Sequence, residues 1–189
     1  MEAEKTALLV VDMQNSFVEE GSPNEIEIIR GNLEKLKSFI DFCRKAGIKI
    51  IYTRHAFDKK RSPIEAKLFP AQMNEDLKKG SRGWEINRKI EPEEGDVIID
   101  KYRYDAFFKT NLNGILKSGG IENVIITGTI TQVCCESTAR SAMFYDYNVI
   151  FCSDLNFSFD QDLHERTLKV IKRSFGEVLS SGEIIKRFA

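Results

Sequence analysis

Short runs of aliphatic and β-branched residues, separated by stretches with helical spacing, constrain the fold of this chain most strongly. The runs occupy residues 6–13, 48–53, 97–100, 124–128 and 149–153. Apolar runs of this length, with little alternation, are typical of strands that are buried on both faces of a parallel sheet. We therefore expect a sheet covered by helices on both sides.

The intervening stretches have the apolar spacing of helices. Between the first two runs, residues 25–46 place apolar side chains four and three positions apart, at Ile29, Leu33, Leu36, Ile40 and Cys43. This spacing predicts one helix with a single apolar stripe, ending before Gly47. Shorter helices are predicted at residues 112–119, 132–145 and 161–172, a last strand at 178–179 and a helical turn at 183–188. The alternation predicts one α/β domain over residues 1–189, a three-layer α/β/α sandwich with a mainly parallel sheet of five or six strands.

Composition narrows the range of functions. The chain has 189 residues with a formal net charge of −1, which gives no electrostatic reason to expect nucleic acid or a membrane surface as partner. The sequence shows no signal peptide and no apolar run long enough to span a bilayer, so we expect a cytoplasmic protein. Its four cysteines are expected to be free thiols.

Three reactive side chains are expected at one edge of the sheet. Asp12 ends the first run, Lys101 follows the third, and Cys134 lies just beyond the fourth, in the first turn of a helix. Ligands of open parallel sheets bind at the carboxyl ends of the strands. Each residue has an ordinary alternative, because such an Asp often caps a turn and a Cys is often a small core residue. Position alone does not rank Cys134 above its neighbour Cys135.

The three residue types suit nucleophilic hydrolysis. A helix N-terminus and a nearby Lys101 would both favour the thiolate of Cys134. Asp12 could take the thiol proton and later return it to a leaving amine. Free N–H groups at the start of the helix could hold the oxyanion of a tetrahedral intermediate. The pattern therefore indicates acyl transfer to a cysteine, followed by hydrolysis.

Three blocks of the sequence resemble the isochorismatase-like cysteine hydrolase family. The segment GTITQVCCESTA, residues 128–139, resembles the family's cysteine signature through Gly128, Thr131, Cys134, Thr138 and Ala139. The opening LLVVDMQNSF and the segment GDVIIDKYRYDAFFKTNL are similar to the family's first and third blocks, with Asp12 and Lys101 at the characteristic positions. The blocks occur in the family's order, and the resemblance covers nearly the whole chain.

The resemblance implies a catalytic triad of Asp12, Lys101 and Cys134. It also implies a cis peptide between Thr129 and Ile130, and an oxyanion hole formed by the backbone N–H groups of Ile130 and Cys134. The similarity is greatest to the carbamoylsarcosine and ureidoacrylate amidohydrolase branch, which implies cleavage of a C–N bond in a small molecule through a thioester. Family members are commonly homo-oligomers, so we expect a dimer or tetramer.

The metal site of the nicotinamidase branch is not expected here. That branch has an Asp and two His after the second strand, whereas this region has His55 and Asp58 with no second His. We therefore expect no catalytic metal and no cofactor, and the sequence argues against a nicotinamidase.

The walls of the substrate pocket are expected to come in part from the long connection 54–95. Long connections in compact domains often form functional walls or lids. Arg54 could pair with a substrate carboxylate, although a surface role is the ordinary alternative. An aromatic lining is equally compatible with core packing for each of its candidates, which are Phe17, Trp84, Tyr104 and Phe107.

Two other functions remain open from the sequence. An isochorismate-type vinyl-ether hydrolase would need an acid near the ether and no nucleophile. A ligand-binding or thiol redox protein on the same fold would fit the adjacent Cys134 and Cys135. A redox sensor has no need of Asp12 with Lys101, whereas acyl transfer does.

Overall fold

A computed structural model describes residues 1–70 and 75–188 of the chain. Its six strands are β1 (Thr6–Val11), β2 (Lys49–His55), β3 (Val97–Lys101), β4 (Asn123–Thr129), β5 (Asn148–Phe157) and β6 (Glu177–Leu179). All six form one sheet in the order β3-β2-β1-β4-β5-β6, and each neighbouring pair is parallel. The predicted α/β class and parallel sheet are confirmed.

Seven α-helices occur in the described residues. They are α1 (Asn15–Val18), α2 (Ile28–Lys45), α3 (Pro63–Leu68), α4 (Leu112–Ser118), α5 (Glu136–Phe144), α6 (Gln161–Ser174) and α7 (Ser181–Lys186). The main helices and the last strand lie where the spacing predicted them. The predicted helix 132–145 differs, because its first part, Thr131–Cys135, is a π-helical turn that leads into α5.

Two hydrophobic cores lie on opposite faces of the sheet, and alternate residues of β1 contribute to each. Leu8 and Val10 pack with α2 on one face, whereas Leu9 and Val11 pack with α4, α5 and α6 on the other. All six residues of β1 are buried, as expected for a central strand covered on both sides. This packing produces the predicted three layers.

Glycine is required at one point of contact between the two central strands. Gly128 in β4 has φ of 118°, and a Cβ there would overlap the backbone of Val11 in β1. A residue with a side chain would be strained at that φ and would force β1 and β4 apart. Glycine at position 128 therefore allows β1 and β4 to approach closely where the site begins.

Candidate active site

The strand order creates a crevice between the carboxyl ends of β1 and β4. Within the sheet, β2 lies next to β1 on one side and β4 lies next to β1 on the other. Such a change of direction in the strand order is where open α/β sheets bind their ligands. Asp12 follows β1 directly, and Cys134 follows β4 by one short turn. Two of the three predicted reactive residues thus flank the crevice.

Asp12 and Lys101 form a fully buried ion pair. Lys101 Nζ lies 2.6 Å from Asp12 Oδ2, and both side chains have no exposed surface. The hydroxyl of Thr53, in β2 between their strands, donates to Asp12 Oδ1 at 2.6 Å and accepts from the Asp12 backbone N–H at 3.1 Å. The carboxylate is therefore fixed from two directions.

The charge on Lys101 is maintained despite its burial. Desolvation alone would lower the pKa of Lys101, but the attraction and hydrogen bonds of Asp12 and Cys134 outweigh it, and the pKa is raised. Lys101 Nζ also donates to the carbonyl of Arg103 at 3.1 Å. An ammonium group is therefore present beside the thiol and the carboxylate at neutral pH.

Cys134 completes the group, and its burial opposes the effect of Lys101 on the thiol. Burial raises the pKa of Cys134, and the opposing effect of Lys101 is met by that of Asp12, which interacts with the thiol by charge and by a side-chain hydrogen bond. Lys101 lowers the pKa of Cys134, as the sequence predicted, but desolvation of the 4 % exposed thiol is the larger effect. The net effect is a raised pKa of Cys134, which favours the thiol over the thiolate.

The turn that carries Cys134 is fixed by contacts from several elements. The peptide between Thr129 and Ile130 is cis. The carbonyl of Ile130 accepts from the N–H groups of Val133 and Cys135, at 3.0 and 3.2 Å. Thr131 Oγ1 lies 3.0 Å from Nδ1 of His164 in α6. These contacts hold Cys134 in one position relative to the sheet.

The neighbouring thiol, Cys135, is fully buried in the core, and all four cysteines are free. Cys43 and Cys152 also have no exposed surface. Cys134 is the member of the adjacent pair that contacts Asp12 and Lys101, which ranks it above Cys135 as nucleophile.

The expected pocket residues lie in different surroundings. Tyr104 is near the site, since burial raises the pKa of its hydroxyl and the charges of Glu65 and Cys134 raise it further. Phe17 and Phe107 are 6 % and 5 % exposed and belong to the two hydrophobic cores. Among the aromatic candidates, Tyr104 thus has the clearest relation to the reactive group.

Arg54 and Trp84 form a separate cluster. The guanidinium of Arg54 lies 3.7 Å from the centre of the Trp84 ring and pairs with Asp100 through Nε and a terminal nitrogen, at 2.8 and 2.7 Å. Lys79 binds the other oxygen of Asp100 at 2.6 Å. Arg54 is therefore engaged within the protein, and its role toward a substrate carboxylate stays a prediction.

The connection 54–95 brings α3 over the loop that follows β3; its residues 71–74 lie outside the described part. Ser62 donates to the carbonyl of Tyr102 at 2.6 Å and accepts from Arg103 at 2.6 Å. Glu65 is buried, with one carboxylate oxygen unpaired within the described residues. Burial raises the pKa of Glu65, while the charges of Arg103 and Lys101 oppose this shift. The connection thus adds an acidic group within electrostatic range of Lys101.

The sequence analysis did not identify two residues that organise the site, Gln14 and Thr53. Gln14 donates to the carbonyls of His55 and Trp84, at 2.9 and 2.8 Å, and accepts from the His55 N–H at 2.8 Å. Gln14 thereby ties the end of β1 to β2 and to the long connection. The contact of Thr53 with Asp12 could not be predicted, because a Thr within a strand has no distinguishing sequence signal. Gln14 could have been found, because it belongs to the block that carries Asp12.

His55 and Asp58, the two residues weighed above as possible metal ligands, lie in different surroundings. His55 is buried among aromatic rings, and the carboxylate of Asp58 accepts from the backbone N–H groups of Lys60 and Arg61. Within residues 1–70 and 75–188, no group of three or more His, Cys, Asp or Glu side chains is arranged to hold a metal ion. The helices in the same ranges include none with the length and apolarity needed to cross a membrane.

A carboxylate, an ammonium group and a thiol lie together at the carboxyl edge of a parallel sheet, an arrangement compatible with a cysteine hydrolase of the α/β class. The model of the Isochorismatase domain matches residues 6–183. The chain therefore belongs to the isochorismatase family of hydrolases.

Known relatives agree with this class. The chain is 29 % identical to the ureidoacrylate amidohydrolase RutB of Agrobacterium fabrum, over 92 % of this chain and 86 % of that one. It is 32 % identical to nicotinamidase 3 of Arabidopsis thaliana, over 94 % and 86 %. A cysteine hydrolase from Pseudomonas syringae has the same fold with a TM-score of 0.93 and 29 % identity, over 100 % and 94 % of the two chains. The predicted class, an isochorismatase-like cysteine hydrolase with amidohydrolase relatives, is confirmed.

Proposed function

We propose that this protein hydrolyses a C–N bond of a small amide, carbamoyl or ureido compound through a thioester on Cys134. The observation that carries the proposal is the contact of Asp12 with both Lys101 and the Cys134 thiol in a buried site. Similarity to a ureidoacrylate amidohydrolase and to a nicotinamidase supports an amide-type bond as the target.

The first half of the cycle forms the acyl-enzyme. Asp12 takes the proton of the Cys134 thiol as the sulfur attacks the carbonyl carbon, so that no free thiolate is needed beforehand. The oxyanion that forms accepts from the backbone N–H groups of Ile130 and Cys134. Asp12 then gives its proton to the leaving nitrogen, the C–N bond breaks, and a thioester and a free amine or ammonia result.

The second half of the cycle returns the free enzyme. Asp12 takes a proton from a water molecule as the water oxygen attacks the thioester carbon. Collapse of the second tetrahedral intermediate breaks the C–S bond, and Asp12 returns the proton to sulfur. Lys101 pairs with Asp12 and stabilises negative charge beside Cys134 in the intermediates. The cycle uses protein groups and water alone.

A panel of small C–N substrates tests this function. We would measure release of ammonia or amine from 3-ureidoacrylate, 3-ureidopropionate, N-carbamoylsarcosine, nicotinamide and propionamide. Replacing the nucleophile, in Cys134→Ala, should lower kcat by about 10⁴-fold or more. Replacing the base with an isostere, in Asp12→Asn, should lower kcat by roughly 10²–10⁴-fold. Both variants should retain the circular dichroism spectrum of the wild type.

The alternatives give different results in the same experiment. A Cys134→Ala protein with full activity on the panel would contradict the thioester mechanism. Full hydrolysis of isochorismate by that variant would support a vinyl-ether hydrolase instead. A wild-type protein that is inactive on every compound but undergoes reversible oxidation of Cys134 by peroxide would support the thiol redox function.

A further inference from the structure

The helix α6 directs two polar side chains toward the turn that carries Cys134. His164 and Thr167 are three positions apart, so they lie on one face of the helix. They are 8 % and 4 % exposed, and α6 contacts both the Thr131–Cys135 turn and α5. The cycle described above uses neither side chain. Since burial of polar atoms is costly unless they are hydrogen-bonded, the partners of these two residues show what the face is built to hold.

His164 holds the first residue of the turn. Its Nδ1 lies 3.0 Å from the hydroxyl of Thr131, which has no exposed surface. Burial lowers the pKa of His164, against the opposing effects of a hydrogen bond with the Ser153 backbone and of the Glu165 charge. The ring is therefore uncharged at neutral pH and has one donor and one acceptor nitrogen. Because the Ser153 carbonyl takes the ring N–H, Nδ1 is left to accept from the Thr131 hydroxyl, and the ring links Thr131 to β5.

Thr167 holds the residue that follows the turn. Its hydroxyl donates at 2.9 Å to Oε2 of Glu136, the first residue of α5. The other oxygen of Glu136 accepts from Nε and a terminal nitrogen of Arg140, at 3.0 and 2.6 Å. The Glu136 side chain is thus held by both helices. Cys134 lies between the two anchored positions, three residues after Thr131 and two before Glu136.

The turn needs anchors outside itself to keep its place in the site. Its backbone hydrogen bonds are local, from Cys135 to Ile130 at 3.2 Å and from Glu136 to Thr131. Local bonds fix the shape of a turn but not its position against the sheet, where Asp12 lies. A misplacement of reacting groups by about 1 Å can lower a rate by about 100-fold. Anchors at both ends oppose such a displacement of the Cys134 sulfur.

We propose that His164 and Thr167 are positioning residues, which keep the Cys134 sulfur in place beside Asp12 by anchoring both ends of the π-helical turn. The inference rests on the proposed function and assigns a part in the rate of the chemical step to α6, a helix that supplies no reacting group. Loss of an anchor should lower kcat with little change in KM, because the anchors act on the nucleophile.

Substitutions of similar shape at the first anchor measure its effect. Thr131→Val removes the hydroxyl and Thr131→Ser retains it, whereas His164→Phe removes the ring nitrogens and His164→Asn keeps an acceptor near the position of Nδ1. With the panel substrate that wild type hydrolyses fastest, Thr131→Val and His164→Phe should each lower kcat by roughly tenfold and change KM by less than about threefold. Thr131→Ser and His164→Asn should recover part of the loss.

Combined variants test whether each anchor acts through the contact described. If Thr131 and His164 act through one hydrogen bond, the double variant Thr131→Val/His164→Phe should be no slower than the slower of the two single variants. Thr167→Val releases the other end of the turn. Added to Thr131→Val, it should therefore lower kcat further, by about its own single effect.

Alkylation by iodoacetamide reports on the sulfur of Cys134 without any substrate. His164→Phe and Thr167→Val should each slow labelling of Cys134, mapped by mass spectrometry, by at least about threefold, because the thiol is displaced from Asp12. Asp160→Ala is the matched control on the same helix. Its carboxylate caps α6 by accepting from the Leu163 N–H at 3.0 Å, so its loss should lower the urea midpoint without slowing alkylation or turnover.

The outcomes separate this inference from the proposed function. Wild-type kcat and alkylation rates in both His164→Phe and Thr167→Val would overturn the inference, as would equal losses in Asp160→Ala. If His164→Phe does not fold, equal kcat values in Thr131→Val and Thr131→Ser would overturn it instead. If wild type hydrolyses no compound of the panel, the proposed function is overturned, and the alkylation rates still decide whether α6 positions Cys134.

Discussion

The carboxylate of Asp12 is positioned by side chains from β2 and β3, the two strands beyond β1 on one side of the sheet order. Thr53 of β2 holds Oδ1, Lys101 of β3 holds Oδ2, and the Asp12 backbone is in the left-handed region with φ of 50°. The proposed proton transfers of Asp12, from sulfur and then to nitrogen, would need this fixed geometry, since small displacements reduce rates strongly. The hydroxyl of Thr53 is therefore expected to affect the rate through its hydrogen bond to Asp12.

A pair of Thr→Val substitutions tests this positioning role. Thr53→Val should lower kcat by roughly tenfold, because Asp12 loses a hydrogen bond worth about 1.5–3 kcal/mol to a charged group. Thr127→Val is the matched control, since its buried hydroxyl donates at 3.1 Å to the carbonyl of Leu9 instead. The measurement is kcat and KM on one panel substrate, together with the urea midpoint of each variant. Equal losses of activity in the two variants would contradict the role of Thr53.

The state of Cys134 could not be predicted from its sequence position. The motif predicted Cys134 as nucleophile with Asp12 and Lys101 beside it, but the pKa of a thiol depends on how completely the fold removes water from it. Here desolvation exceeds the attraction of Lys101, so the pKa is raised and the thiol is favoured over the thiolate.

At the scale of secondary-structure elements, the contact between β1 and β4 controls the crevice. Gly128 allows the two strands to approach, and the turn with Cys134 begins three residues after it. Gly128→Ala should destabilise the protein by at least about 2 kcal/mol, because the new Cβ overlaps the Val11 backbone and the φ is unfavourable for alanine. Chemical denaturation measures this change.

A control on the protein surface makes the Gly128 experiment specific. Gly31 lies in the helix α2 with open space where a Cβ would be, so Gly31→Ala should be neutral or slightly stabilising. If Gly128→Ala is as stable as wild type, the strands are not held at the separation described here.

The elements themselves were largely predictable, and the exceptions have physical causes. Buried strands and the stripe of α2 follow from hydrophobic periodicity, which a sheet covered on both faces requires of its sequence. The π-helical turn at Thr131–Cys135 was predicted as α-helix, because its extra residue is set by tertiary contacts such as Thr131 with His164. The path of connection 54–95 likewise depends on long-range contacts, among them those of Gln14 with Trp84 and Ser62 with Tyr102.

At the scale of the whole molecule, the strand order explains why residues far apart in the sequence form one site. Because β1 and β4 are neighbours at the point where the chain changes direction, Asp12 and Cys134 meet, and Lys101 reaches them across β2. Hydrophobic periodicity predicted the strands but not their order, because periodicity does not define which strands are neighbours. The expected dimer or tetramer stays a prediction.

The central claim is that catalysis passes through a covalent bond to Cys134. The most direct test is intact-protein mass spectrometry of wild type quenched in acid during steady-state turnover of a panel substrate, with the adduct mapped by peptide analysis. We expect the mass of the acyl or carbamoyl group on Cys134, its absence in Cys134→Ala, and its loss on treatment with hydroxylamine. Turnover without any adduct under rapid quenching, together with an active Cys134→Ala protein, would contradict the account.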